Sequence, residues 1–251
     1  MSRYFDLPHP LIFAHRGASA HAPENTLAAF RLALEQGADG IELDAKLSAD
    51  GVVVVMHDAS LRRTTGLDAP VAHTPFEVIR KLDAGKWKGE PFAGEHVPTL
   101  EEVFASLGGK LLINVELTNY GHGRDDLVEK VVALVRSHQL ENSVIFSSFT
   151  PANITRARAL APRVPAALLT WKGWLGGLFR SRWMAGLSPQ GIHPYWTDVT
   201  PDMIRREKAR GRFINVWTVN DPQEMRRLFS LGVDGIFTDD PKLARHVMEG
   251  V

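Results

Sequence analysis

Two hydrophobic periods alternate along the chain. Short runs rich in β-branched and aliphatic residues are separated by longer segments whose apolar residues recur every three or four positions. The runs Leu11–Ala14, Gly40–Leu47, Leu111–Leu117, Val144–Ser147, Ala166–Leu169, Gly191–His193, Phe213–Thr218 and Gly235–Thr238 predict strands. Helices are predicted over Asn25–Gln36, about Asp125–His138, from Ala152, around Pro201–Ala209, over Pro222–Leu231 and over Pro241–Met248. In the first helix Leu27, Phe30, Ala33 and Leu34 share a face, and Gly37 follows as a stop signal. Val52–Met56 predicts one more strand, returning against the second. Alternating β and α segments imply a parallel sheet, and eight such units fit a closed barrel.

Two stretches interrupt this rhythm. Residues from about 59 to 98 carry Pro70, Pro75, Pro91 and Pro98, with only a short helical pattern near Phe76–Leu82. That is too long for an ordinary connection and reads as an insertion capping one end of the barrel. It closes at Thr99-Leu100-Glu101-Glu102, whose spacing is that of a capping box. The second stretch, Trp171–Leu187, holds Trp171, Trp174, Phe179 and Trp183 among Lys172, Arg180 and Arg182. It reads as a long loop over the barrel mouth. The alternative is a segment touching a membrane surface, although Gly173, Gly176 and Gly177 weaken a membrane helix.

Composition narrows the choice of chemistry. The chain has 251 residues, 44% of them apolar, enough for one large core. Lys+Arg and Asp+Glu both total 29, and no basic tract stands out, so no nucleic-acid partner is expected. The absence of cysteine excludes disulfides, thiolate metal sites and a cysteine nucleophile. No apolar run reaches the roughly 18 residues of a membrane span, and the first ten residues lack the apolar core of a signal peptide. A cytoplasmic protein is the expectation.

The segment Ile41–Asp58 concentrates the chemistry. If Asp50-Gly51 is a two-residue hairpin loop, Ala49 faces Val52 and Asp44 lies directly opposite His57, with Glu42 on the same face. In a β/α barrel the strand exits share one mouth. Here they would bring together His15, Arg16, Glu42, Asp44, Glu116, Ser147, Ser148, Thr170, His193 and Trp217. Glu42, Asp44 and Glu116 would repel one another without a positive partner. A hard divalent cation supplies it, and all-oxygen ligation suits Mg2+ or Ca2+ better than zinc. The alternative pairs these acids with Lys46, Arg16 or solvent. His15 and His57 can form an acid–base pair. Arg16 offers a planar fork to phosphate oxygens or a structural salt bridge. In Pro23–Thr26, Asn25 or Thr26 begins the helix, with Glu24 near its positive end.

These residues resemble the glycerophosphodiester phosphodiesterase family. The matching pieces run in order: H-R-G at His15–Gly17, P-E-N-T at Pro23–Thr26, E-L-D at Glu42–Asp44 and H-D at His57-Asp58. L-R-R-T-T-G at Leu61–Gly66, V-E-L at Val115–Leu117, S-S-F at Ser147–Phe149, V-W-T-V-N at Val216–Asn220 and G-V-D-G-I-F-T-D at Gly232–Asp239 complete the set. The resemblance implies a TIM-type (β/α)8 barrel spanning 1–251, with a family-specific insertion after the second barrel strand. It implies hydrolysis of a small glycerophosphodiester to glycerol 3-phosphate and an alcohol. By the same resemblance His15 and His57 are the general acid and base, in either order. Glu42, Asp44 and Glu116 hold the metal, Arg16 contacts phosphate, and Trp217 lines the glycerol or leaving-group pocket.

One position departs from the family. Many members carry a phosphate-approaching lysine two residues after the third acid, where this chain has Thr118. Phosphate charge then falls to Arg16 and the metal, with Lys172 from the aromatic stretch as a further candidate. The attacker is either water or the glycerol 2-hydroxyl. Two other functions stay open: a lysophospholipase D, which the tryptophan-rich stretch would favour, and a non-catalytic phosphate- or lipid-binding barrel, which the intact acids and histidines disfavour.

Overall fold

The computed structural model describes residues 2–120, 125–173, 176–177 and 190–250. Its strands are β1 (Leu11–Ala14), β2 (Gly40–Leu47), β3 (Val53–Val55), β4 (Leu112–Leu117), β5 (Val144–Ser148), β6 (Ala166–Thr170), β7 (Gly191–Pro194), β8 (Phe213–Val216) and β9 (Gly235–Thr238). All except β3 are parallel neighbours, and the β1–β2 pairing closes them into an eight-stranded barrel. This is the TIM-type (β/α)8 architecture. Strand exits therefore share a rim, as the sequence pattern implied.

Each strand sorts its side chains by alternation. Ile41, Leu43 and Ala45 of β2 join Phe30, Ala33, Val103 and Phe104 in the layer between barrel and helices. Inside, Tyr4, Leu11, Phe13, Leu112, Ile145, Phe213 and Phe237 fill the lower barrel. Gly40 and Gly191 make room for this filling, because a Cβ there would lie 2.6 Å from the Phe13 ring and 2.3 Å from the Phe213 ring. Tyr4 seals the bottom from the N-terminal turn, and its hydroxyl donates to Asn215 Oδ1 at 2.9 Å. The helices start where local chemistry dictates. Thr26, Thr99, Thr200, Asp221 and Asp240 each accept backbone N–H bonds as N-caps, and Thr99 with Glu102 forms the expected capping box.

The hairpin register differs from the expectation. Ala45 pairs with Val55, Lys46 with Val54 and Leu47 with Val53. The turn therefore spans Ala49–Gly51 instead of Asp50-Gly51 alone, with Ser48 and Val52 closing it. Gly51 takes φ 78°, and its N–H bonds to the Ser48 carbonyl. Ser48 Oγ also accepts from Val52 N–H, which stabilises the longer loop. Asp44 consequently faces Met56, whose N–H donates to the Asp44 carbonyl. His57 lies past the end of β3, in a bend that carries it to the mouth.

Residues 56–99 hold a few single-turn helices around a small core in which Met56, Leu61, Val71, Ile79, Ala84 and Val97 pack with Val54 of β3. This stretch walls one side of the mouth. Beyond Gly173, most of Trp171–Leu187 lies outside the described residues. No helix among the described residues is long and apolar enough to cross a membrane.

Truncating the barrel plug tests this packing. Tyr4→Ala should cost about 3–5 kcal/mol, and Tyr4→Phe about 1–3 kcal/mol by stranding Asn215. Denaturant unfolding midpoints measure both, and a Tyr4→Phe midpoint equal to that of the parent would contradict the hydroxyl's part.

Candidate active site

Parallel pairing of β2 with β4 sets Asp44 beside Glu116 and Glu42 beside Asn114. Oxygens of Glu42, Asp44 and Glu116 all lie within 4.8 Å of one another. Ligands on opposite sides of a cation at about 2.3–2.6 Å would span a similar distance. Burial, then the charges of Asp44 and Glu116, hold the Glu42 carboxyl well above its usual range. Burial and Asp44 push Glu116 up to about 8. For Asp44, burial acts upward, but Arg16, His57, Lys46 and the Asn25 amide outweigh it and keep the group ionised. Three acids in this space cannot all ionise on their own. Their donor set fits a hard divalent cation.

The surrounding loops supply donors. Arg16 and Asn25 both adopt left-handed backbone, at φ 56° and 57°, a conformation that is uncommon outside glycine. In return, Arg16 N–H donates to Glu42 Oε2 at 3.0 Å, and the Asn25 amide donates to Asp44 Oδ2 at 2.9 Å. Arg16 Nη1 donates to Glu24 Oε1 at 3.0 Å, while its Nε lies 3.5 Å from Asp44 Oδ2. Tyr120 hydroxyl donates to Glu116 Oε1 at 2.5 Å.

Both histidines are oriented in the same way. His15 Nδ1 lies 2.7 Å from Asp239 Oδ1, and His57 Nδ1 lies 2.8 Å from Asp58 Oδ1. A carboxylate against Nδ1 selects the tautomer whose Nε2 can accept a proton. Burial acts to raise Asp239, yet bonds from His15, Asn220 and Ser19 hold it at about 2. Asp58 also sits at about 2, mainly through its hydrogen bonds from Arg63. Arg63 bridges Asp58 to Glu24, donating to Glu24 Oε2 at 2.7 Å and to Asp58 Oδ2 at 2.7 Å.

Two connected spaces border the acids. An inner cavity of about 80 Å³ touches His15, Arg16, Glu42, His57, Glu116 and Trp217. An outer cavity of about 770 Å³ adds Asp44, Lys46 and the apolar wall of Pro70, Val71 and Trp171. Trp217 lines both, its indole donating to the His193 carbonyl at 2.8 Å. His193 is fully buried, and burial lowers its pKa to about 3, so it stays neutral.

The structure thus gathers His15, His57, Glu42, Asp44, Glu116, Arg16 and Trp217 in one mouth. Lys172 stands apart: its Nζ lies 5.5 Å from the centre of the Tyr195 ring, outside the lining of both cavities. Thr26 alone caps the first helix, whereas Asn25 and Glu24 serve the mouth. Asp239 and Arg63 carry no role in the sequence reading, while Asn25 and Glu24 were expected only at the helix start and Lys46 only as a partner of the acids. The acidic partner beside His57 and the acid ending β9 were the available signals.

A TIM-type barrel whose mouth joins three clustered carboxylates to two carboxylate-bound histidines has the parts of a metal-assisted hydrolase. Residues 15–243 match the model of the glycerophosphoryl diester phosphodiesterase family, and the chain belongs to that family. It is 40% identical over 234 residues to a glycerophosphodiester phosphodiesterase of Caldanaerobacter subterraneus, covering 92% of this chain and 95% of the relative. An Oleispira antarctica phosphodiesterase, solved with its product sn-glycerol-3-phosphate, superposes with a TM-score of 0.87 at 32% identity, covering 99% of this chain and 100% of that one. A mouse lysophospholipase D is 29% identical over 274 residues, covering 94% of this chain and 81% of the relative.

The histidine partners leave a signature in acid. A carboxyl held at about 2 rather than its ordinary 3.8 contributes stability above the unfolded value, and loses it as pH falls from about 4 to about 2. Asp239→Asn and Asp58→Asn should therefore flatten the decline of the urea midpoint across that window. An unchanged acid limb in both variants would contradict the pairing.

Proposed function

We infer that this protein is a metal-dependent glycerophosphodiester phosphodiesterase that releases glycerol 3-phosphate and an alcohol. One observation carries the reading: His15 and His57, each bound through Nδ1 to a carboxylate, face the inner cavity that also touches Glu42 and Glu116. Membership of the family and the product held by the Oleispira relative support the reaction class.

Glu42, Asp44 and Glu116 would hold a divalent cation, Mg2+ or Ca2+, consistent with their spacing and with the raised pKa of Glu42 and Glu116. When bound, such a cation neutralises charge on a phosphoryl oxygen. One histidine Nε2 removes the attacker's proton as its oxygen bonds to phosphorus. The other protonates the leaving alkoxide as its P–O bond breaks. Asp239 and Asp58 keep both rings in the required tautomer. Arg16, fixed by Glu24 and Asp44, adds positive charge beside the phosphate. Trp217 supplies an apolar wall for glycerol or the leaving group.

A second reading, lysophospholipase D, is favoured by the apolar outer cavity and by the named activity of the mouse relative. Turnover of glycerophosphocholine against lysophosphatidylcholine decides between them: preference for the former supports the first reading, and strong preference for the latter replaces it.

Release of glycerol 3-phosphate should stop on chelation and return with Mg2+ or Ca2+. His15→Gln and His57→Gln should each lower kcat by about 10²–10⁴-fold while melting near the parent temperature. Normal activity in either variant would falsify the acid–base assignment.

A further inference from the structure

An entering phosphodiester is an anion, and it meets a mouth already crowded with carboxylates. Among the described residues lining the inner and outer cavities, Arg16 and Lys46 are the arginine and lysine side chains. Arg16 is held from one side, and its buried Nε has no hydrogen-bond partner among the described residues. Its Nη1 donates to Glu24, and its Nε lies against Asp44.

Lys46 is differently placed. It is the last but one residue of β2, one step beyond the Ala45–Leu117 pair that joins β2 to β4. That step sets it beside Thr118. Lys46 Nζ donates to Thr118 Oγ1 at 2.7 Å and to the Thr118 carbonyl at the long distance of 3.4 Å. Thr118 Oγ1 in turn donates to the Ala45 carbonyl at 2.7 Å, which fixes the hydroxyl and directs its lone pairs to the ammonium. An ammonium has three N–H donors, so at least one is left for a ligand. The side chain lines the outer cavity with Asp44, His57 and Glu116. Among the described residues it makes no direct ion pair with those acids; burial lowers its pKa, and the charges of Asp44, Glu116 and Asp58 act against that.

Resting on the hydrolase reading above, we propose that Lys46 contacts the phosphoryl group, its ammonium held by Thr118. Charge from β2 thereby stands at a point where β4 contributes only a hydroxyl. Thr118 is the holder and Lys46 the contact. Lys172, on the Tyr195 ring, has no part in this.

Wild-type turnover of glycerophosphocholine comes first. If the wild type hydrolyses no glycerophosphodiester, the underlying reading fails before the lysine is tested. Given activity, Lys46→Met should lower kcat/KM on the order of 10²-fold, the scale of losing one charged donor at a transition state. It should also weaken competitive inhibition by glycerol 3-phosphate at least tenfold. The exchange variant Lys46→Thr with Thr118→Lys should recover most of both losses, since it returns the charge from the other strand. A merely structural role would lower the melting temperature and leave the inhibition constant alone. The proposal is overturned if Lys46→Met keeps kcat/KM within about twofold, or loses activity with glycerol 3-phosphate inhibition unchanged.

Discussion

Mutual repulsion among Glu42, Asp44 and Glu116 is the constraint to which the rest of the mouth answers. Coulomb energies rise steeply as the local dielectric falls, so acids with oxygens within 4.8 Å of one another need donors and positive charge around them. The loop after β1 supplies the Arg16 N–H and guanidinium. The turn before the first helix supplies the Asn25 amide. Both residues hold left-handed backbone to do so, a conformation that costs about 1–3 kcal/mol and persists only where surrounding bonds enforce it. Asn25 N–H bonds to the Arg16 carbonyl, so each strained residue braces the other.

From the acids the charge alternates outward without interruption. Asp44 meets Arg16, Arg16 meets Glu24, Glu24 meets Arg63, Arg63 meets Asp58, and Asp58 orients His57. Strand β2, the connection after β1 and the stretch after β3 form one network through these contacts. The His57 ring and the Asp44 carboxylate thus stand at the two ends of a single chain of ion pairs. His15 is braced from elsewhere, by the acid that ends β9 and by Asn220 behind it.

Much of this was legible in the sequence because strands and caps are local. The eight barrel strands read from hydrophobic period agree with those observed to within one or two residues at their ends, and Thr99–Glu102 declared its own cap. The acids were legible too, since E-x-D places both side chains on one face of any strand. What failed was the hairpin register. Asp50-Gly51 is a strong two-residue turn signal, but Ser48 offers its hydroxyl to Val52 N–H and a three-residue loop wins. His57 reaches the mouth by a bend after β3 instead of by pairing with Asp44. The bridging roles of Glu24, Arg63 and Lys46 were not legible, because each depends on where another loop lands. Lys172, a candidate for phosphate charge in the sequence, has its Nζ 5.5 Å from the centre of the Tyr195 ring.

The stretch from Met56 to Thr99 packs with Val54 of β3 in a small core, and it meets the catalytic end of the molecule in two distinct ways. Its root carries His57, Asp58 and Arg63, which are locked into the ion-pair chain. Its farther part, Pro70–His73, only walls the outer cavity. The ion-paired root and the wall of the outer cavity are therefore different parts of one connection. A change at Pro70–His73 would reshape the outer cavity while leaving every contact of the ion-pair chain in place.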